Sequence, residues 1–192
     1  MQASTAVRHL VPLLTHLSLR QPSASTSAHL WLFWEAQAAS GNTVRQSSPS
    51  SRAFVFFTQY LVIQLAKYSG FSPIITTASL KHADELKSLG ATHVIDRNAS
   101  VVAEVRKLTD KPISIVYDAV SSADTQQTGL DVLAPGGKLI TVTPVSVKAE
   151  DKEIIYSVGS AALHPELLTS LYGKEVYGFL ERGVLKVCLQ RQ

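Results

Sequence analysis

Residues 113–143, ISIVYDAVSSADTQQTGLDVLAPGGKLITVT, constrain the fold more than any other stretch of the chain. They open on Ile113, Ile115, Val116 and Tyr117, an apolar and largely β-branched run that suits a strand buried on both faces; Asp118 ends it. Residues 122–133 then read as a helix, with Ser121 or Ser122 at the N-cap and Leu130 and Leu133 facing inward. Pro135-Gly136-Gly137 predicts a tight turn, after which residues 138–143 resume as a second buried strand. Strand, helix and strand with short links make a βαβ unit, whose strands lie parallel with a right-handed crossover. Two parallel strands leave both sheet faces uncovered, so the flanking chain is expected to supply more of the same.

From residue 60 it does. Residues 60–69 read as a helix stopped by Gly70, 73–77 as a β-branched strand, and 81–89 as an amphipathic helix closed by Gly90. Residues 93–96 read as a strand and 100–108 as a helix with Val101, Val102, Val105 and Leu108 inward. Beyond the central unit, 153–158 reads as another strand and 165–180 as a helix ended by Gly183. Upstream, HLWLFW at 29–34 suits a buried strand. Strict alternation predicts an α/β fold, a Rossmann-type doubly wound parallel sheet with strand order 3-2-1-4-5-6. Ligands of such sheets bind beyond the carboxyl ends of the strands, near the switch point between the first and fourth.

The 192 residues suffice for one well-buried domain, and their net charge of +3 gives no nucleic-acid footprint. That charge sits in residues 1–52, where Arg8, Arg20, Arg45 and Arg52 face the single acid Glu35. The one cysteine, Cys188, excludes an intramolecular disulfide framework and a multi-cysteine zinc site, and fits a reducing, cytoplasmic setting. Residues 1–28 read as a poorly ordered extension; their lack of acids beside Arg8 and Arg20 is also the bias of a mitochondrial transit peptide. No apolar run has the length of a membrane span. The six histidines show no metal-ligand spacing, so no metal site is expected.

The segments IQLAKYSGF, TTASLKHADELKSLGATHVIDR, VYDAV and LAPGGKLITV together resemble the nucleotide-binding half of medium-chain dehydrogenases/reductases. Within that superfamily they are most similar to the zinc-independent quinone-reductase-like and fungal trans-acting enoyl-reductase-like members. The resemblance implies a dinucleotide-binding domain over residues 29–185 and NADPH as cofactor. It further implies a small-molecule substrate, reduced by hydride transfer to an activated double bond or carbonyl, and an N-terminal catalytic domain that residues 1–28 do not replace. The glycine-rich turn after the first strand is also missing. Only Gly41 remains there, Glu35 adds a negative charge, and residues 42–57 read as an irregular insertion. The closing KVCLQRQ, 186–192, leaves the family pattern. The sheet is thus expected to be incomplete relative to the family, and catalysis by this chain alone is not expected. The alternative is a non-catalytic nucleotide-binding or interaction remnant, or the product of an incorrect gene model.

Candidate site residues lie at the strand ends. Ser79 and Lys81 follow the second strand, where selectivity for NAD calls for a carboxylate; a hydroxyl and a cation suit a 2′-phosphate instead. The competing reading makes Ser79 a helix cap and Lys81 a solvated residue. Arg97, after the third strand, would reach the same phosphate or lie on the surface. The resemblance brings Ala119 and Val120 close to the nicotinamide ribose, and Thr141 and Thr143 to the nicotinamide end, although a simple apolar turn and ordinary strand threonines account for them equally. No catalytic residue, substrate or oligomeric state is singled out.

Overall fold

The computed structural model describes residues 30–34, 49–157, 165, 169, 173 and 175–186. In chain order these form β1 (Leu30–Trp34), α1 (Pro49–Tyr68), β2 (Ile74–Ala78), a 3-10 turn (Leu80–His82), α2 (Ala83–Leu89), β3 (His93–Asp96) and α3 (Val101–Leu108). There follow β4 (Ile113–Asp118), α4 (Ala123–Val132), β5 (Leu133–Thr141), β6 (Glu153–Tyr156) and α5 (Val176–Glu181). The six strands make one sheet in the order β3-β2-β1-β4-β5-β6, and every neighbouring pair is parallel. The expected order and the parallel pairing of β2 with β3 are both realised. The expected extension at 1–28 lies outside the described residues. No described helix is long and apolar enough to cross a membrane.

Successive strand residues serve opposite faces. Ile74, Tyr117 and Ile140 join one core with Val62, Ile63 and Ala66 of α1, Leu86 and Leu89 of α2, and Phe179 of α5. Their immediate neighbours Ile75, Val116 and Leu139 join the other, with Val101 and Val105 of α3 and Leu130 of α4. This two-residue alternation is the pleat of a strand buried on both sides, and it explains why the strands read as unbroken apolar runs. One buried polar side chain links distant parts of the chain. Gln64 of α1 accepts from the backbone N–H of Lys186 at 2.6 Å, which ties the end of the described chain to the first core.

Three local expectations change. The helix expected from residue 60 begins at Pro49, so residues 49–57, read as part of an irregular insertion, are the first half of α1; residues 42–48 lie outside the described residues. Proline is tolerated at the first helical position, since its missing N–H would have no helical partner, and no glycine occurs between Pro49 and Gly70. Pro135-Gly136-Gly137 does not separate helix from strand but lies inside β5. Ile113 pairs with Leu133 and Ile115 already with Lys138, so the intervening residues loop out of the ladder. Gly136 takes φ +74°, and a Cβ on Gly137 would come within 2.8 Å of the Ala134 carbonyl oxygen. Finally, β6 ends at Tyr156, and of the expected helix over 165–180 the described residues show α5, closed at Gly183 with φ +66°.

Gly90 closes α2 at φ +134°, donating its N–H to the carbonyls of Leu86 and Lys87. A Cβ there would lie 2.9 Å from Lys67 Cβ on α1. Gly90→Ala combines an unfavourable backbone region with that overlap, and should destabilise the domain by about 1–3 kcal/mol in chemical denaturation. Lys87→Ala, on the exposed side of the same helix, should stay within about 0.5 kcal/mol.

Candidate functional site

The carboxyl edge of the sheet presents two groups of residues on either side of β1. Ser79, Lys81 and Arg97 stand at the ends of β2 and β3, whereas Ala119, Val120 and Thr141 stand at the ends of β4 and β5. Register aligns the second group: Trp34 pairs with Asp118, and Asp118 with Thr141.

On the β2/β3 side, the Arg97 N–H donates to the Ala78 carbonyl at 3.1 Å and draws the two strand ends together. Ser79 is extended, with φ −65° and ψ 130°, and its side chain makes no capping hydrogen bond to the 3-10 turn. It therefore does not act as the side-chain cap that was the competing reading. Lys81 and Arg97 are exposed. The acid on this edge, Asp96, turns its Oδ1 to Asn98, accepting from the backbone N–H at 2.8 Å and from the side-chain amide at 2.9 Å. A hydroxyl and two exposed cations thus follow the ends of the adjacent strands β2 and β3.

On the β4/β5 side, the principal residue is Asp118, fully buried at 0% exposure. Its Oδ1 accepts from the N–H of Val120 at 3.0 Å and of Ser121 at 2.7 Å, and its Oδ2 accepts from Thr125 Oγ1 at 2.6 Å. Burial pushes the carboxyl above its ordinary value of 3.8, against the pull of these three donors. The adjoining Tyr117 hydroxyl is raised as well, first by burial and then by the charge of Asp118. Bonding to Asp118 bends the turn so far that Ser121 adopts φ +54°. Ser121 Oγ donates to the Asp118 carbonyl at 2.6 Å and accepts from the Val142 N–H at 2.9 Å. Its carbonyl accepts from Thr143 Oγ1 at 2.8 Å and from Gln126 Nε2 at 3.0 Å. Gln126, also fully buried, donates to the Pro144 carbonyl at 3.2 Å and accepts from the Ser146 N–H at 2.7 Å. The turn after β4 and the segment after β5 are consequently one bonded unit.

Sequence reading missed Asp118, Ser121 and Gln126 as site-forming residues. The available signal was an acid directly after an apolar strand, followed by hydroxyls at Ser121 and Thr125. Among the expected residues on this side, Ala119 is buried in the core, and Val120 is half-buried with its N–H held by Asp118. Thr141 Oγ1 donates to the Thr143 carbonyl at 3.0 Å, so its proton is already committed.

Between the two sides lies α1. Gln59, at 0% exposure, donates from Nε2 to Thr76 Oγ1 at 2.7 Å and to the Thr77 carbonyl at 3.1 Å, which fixes its level against the carboxyl half of β2. The helix starts at Pro49, roughly 15 Å further along its axis at 1.5 Å per residue. A dinucleotide pyrophosphate needs free N–H groups where the helix meets the sheet edge. At that level the helix continues unbroken, and its amides serve carbonyls one turn back. Over the described residues 49–68, α1 thus offers the pyrophosphate of NADPH no free N–H group at that level. Among the described residues no three His, Cys, Asp or Glu side chains are grouped to hold a metal.

Asp118→Asn keeps an oxygen for the two backbone donors, and Thr125 Oγ1 can turn its proton to the Ser122 carbonyl, 3.1 Å away, while accepting from the new amide. That variant should stay within about 1 kcal/mol of the parent near neutral pH, whereas Asp118→Ala, which leaves the Val120 and Ser121 N–H groups without their acceptor, should lose about 2–4 kcal/mol. Because the folded carboxyl titrates above its unfolded value, its stabilising contribution is full below 3.8 and is lost as pH rises through the folded value. Denaturation curves across that window should show the slope in the parent and not in Asp118→Asn.

Comparison with known proteins gives one family match, described as zinc-binding dehydrogenase, over residues 60–179. A dual trans-enoyl reductase/FAD-dependent monooxygenase of Aspergillus terreus is 36% identical over 107 residues, which cover 55% of this chain and 15% of that protein. The solved quinone oxidoreductase of Pseudomonas syringae pv. tomato superposes with a TM-score of 0.68 at 27% identity, covering 95% of this chain and 53% of that one. The Escherichia coli quinone oxidoreductase, solved in complex with NADPH, superposes with a TM-score of 0.65 at 22% identity, covering 94% and 53%. The chain therefore spans about half the length of these solved structures, and less of the fungal protein.

Proposed function

This chain belongs to the medium-chain dehydrogenase/reductase superfamily, in its zinc-independent quinone-oxidoreductase and enoyl-reductase branch, and on that premise we propose that it is an NADPH-type nucleotide-binding half that does not sustain turnover by itself. The observation that carries the reading is the asymmetry of the carboxyl edge. Ser79 and the exposed Lys81 and Arg97 follow the ends of β2 and β3, which supports an anion site on that side of β1. By contrast, α1 runs on as unbroken helix past Gln59, at the level where a pyrophosphate needs free N–H groups. The absence of a carboxylate directly after β2 favours a 2′-phosphorylated adenosine over its unphosphorylated counterpart.

In a complete enzyme of this branch the cofactor supplies a hydride to an activated double bond or carbonyl of a small molecule. That step requires donor and acceptor within near-attack distance in a cleft closed to water. On this reading the carboxyl edge is one wall of such a cleft and the turn bonded through Asp118, Ser121 and Gln126 is its nicotinamide side; the hydrogen bonds that hold that turn rigid support the reading. The described residues provide no second wall. The continuous α1 also favours the alternative of a nucleotide-binding remnant, and binding without turnover would be its signature.

The 192-residue chain should show negligible NADPH-dependent reduction of quinones or enoyl thioesters in a standard absorbance assay; robust turnover would refute the proposal. In direct titrations NADPH should bind better than NADH. Lys81→Ala should weaken NADPH about tenfold and leave NADH nearly unchanged, corresponding to the loss of about 1.4 kcal/mol from one exposed charge-assisted contact. An equal loss for both cofactors would show that Lys81 does not read the 2′-phosphate.

A further inference from the structure

We propose that Ser122, Thr125 and Asp118 form a proton relay, along which the buried Asp118 carboxyl exchanges its proton with solvent while the turn after β4 keeps its shape. The relay needs no ligand and stands separately from the proposed function.

The two oxygens of the carboxyl have different partners. Oδ1 accepts from the N–H groups of Val120 and Ser121, which occupies both of its lone pairs and holds the turn. Oδ2 faces a hydroxyl instead, Thr125 Oγ1 at 2.6 Å. A backbone N–H can only donate, whereas a hydroxyl can donate or accept. A proton taken up on Oδ2 therefore leaves the bonds on Oδ1 in place.

Thr125 Oγ1 then needs another acceptor for its own proton, and two stand beside it. These are the Ser122 carbonyl at 3.1 Å and Ser122 Oγ at 3.2 Å. The second makes the chain continuous. With Asp118 ionised, Ser122 Oγ donates to Thr125 Oγ1, which donates to Oδ2. When a solvent proton reaches Ser122 Oγ, the Ser122 proton passes to Thr125 and the Thr125 proton to Oδ2. Each hydroxyl loses one O–H bond and gains one, so a single proton enters at Ser122 and a single proton arrives at Asp118.

Burial falls along the same path. Asp118 is 0% exposed and Thr125 4%, while Ser122 is half-buried at the N-cap of α4. The groups that face the carboxyl do not compete for the proton. Val120, Ser121 and Thr125 reach it as neutral donors from the turn and α4, and Ser121 Oγ is committed to the Asp118 carbonyl. In register with it stand Trp34 of β1 and Thr141 of β5, neither of them ionisable. Its titratable neighbour Tyr117, on the same strand, is kept neutral because burial pushes its hydroxyl up.

The test is carboxyl-detected NMR of the intact chain, following the Asp118 side-chain resonance through its titration in the parent, Ser122→Ala and Thr125→Val. The parent should show one resonance that moves continuously, the mark of rapid proton exchange. Each variant cuts the chain at one link and should show separate resonances for the two protonation states. Thr125→Val should also titrate at higher pH than the parent, because the charged form has lost a donor, whereas Ser122→Ala should stay near the parent's midpoint. Thr125→Ser, which keeps the hydroxyl, should restore the single moving resonance. A single moving resonance in either cut variant, or separate resonances in the parent, would overturn the proposal.

Discussion

The five-residue strand β1 is the element on which the rest depends. It hydrogen-bonds to β2 on one side and to β4 on the other, so the hydrogen-bond ladders of the two halves of the sheet meet at its backbone. Removing it would leave two open ladders facing each other, with buried N–H and C=O groups that each cost free energy when unpaired. Its register with β4 also brings its own carboxyl end level with the sheet's carboxyl edge. Because Trp34 lies opposite Asp118 and Asp118 opposite Thr141, the turn after β4 and the segment after β5 emerge at the same height. They can then exchange the hydrogen bonds through Ser121 and Gln126.

How much of this could be read beforehand follows from how local each signal is. The strands around Ile74, Val116 and Ile140 were legible because burial on both faces demands unbroken apolar runs, and their order followed from the alternation with helices. Lys81 and Arg97 were legible as cations at strand ends. The start of α1 was not, because proline and serine weigh toward a loop when read by composition. Pro49-Ser50-Ser51 also makes an acceptable first helical turn, and no breaker follows it. The path of β5 was hidden for a related reason: Pro135-Gly136-Gly137 signals a turn, and whether that turn ends a strand or bulges from it depends on pairing with Ile113 and Ile115. Asp118, Ser121 and Gln126 are joined by contacts across the sheet edge, which no pattern along the chain displays.

The extended α1 illustrates a conflict between the needs of a helix and of an anion site. A helix is most stable when each amide finds a carbonyl one turn back, whereas a phosphate cradle requires several amides to be left without one. Glycine resolves the conflict in dinucleotide folds by ending the helix early. Here Thr58 and Gln59 continue it, and Gln59 adds two side-chain bonds to β2. The segment is satisfied as structure in a way that removes the donors a phosphate would use.

The two-sided strands also bear on how such a chain can change in length. Ile74 and Ile75, Val116 and Tyr117, and Leu139 and Ile140 are adjacent pairs that feed opposite cores. One residue gained or lost within a strand would exchange every partner downstream in it, presenting each core with side chains shaped for the other. The connections carry no such parity. Length variation in this architecture is therefore channelled into the segments between strands, which are the segments that carry the ligand chemistry. The sheet can survive a change of loop length that its binding edge does not.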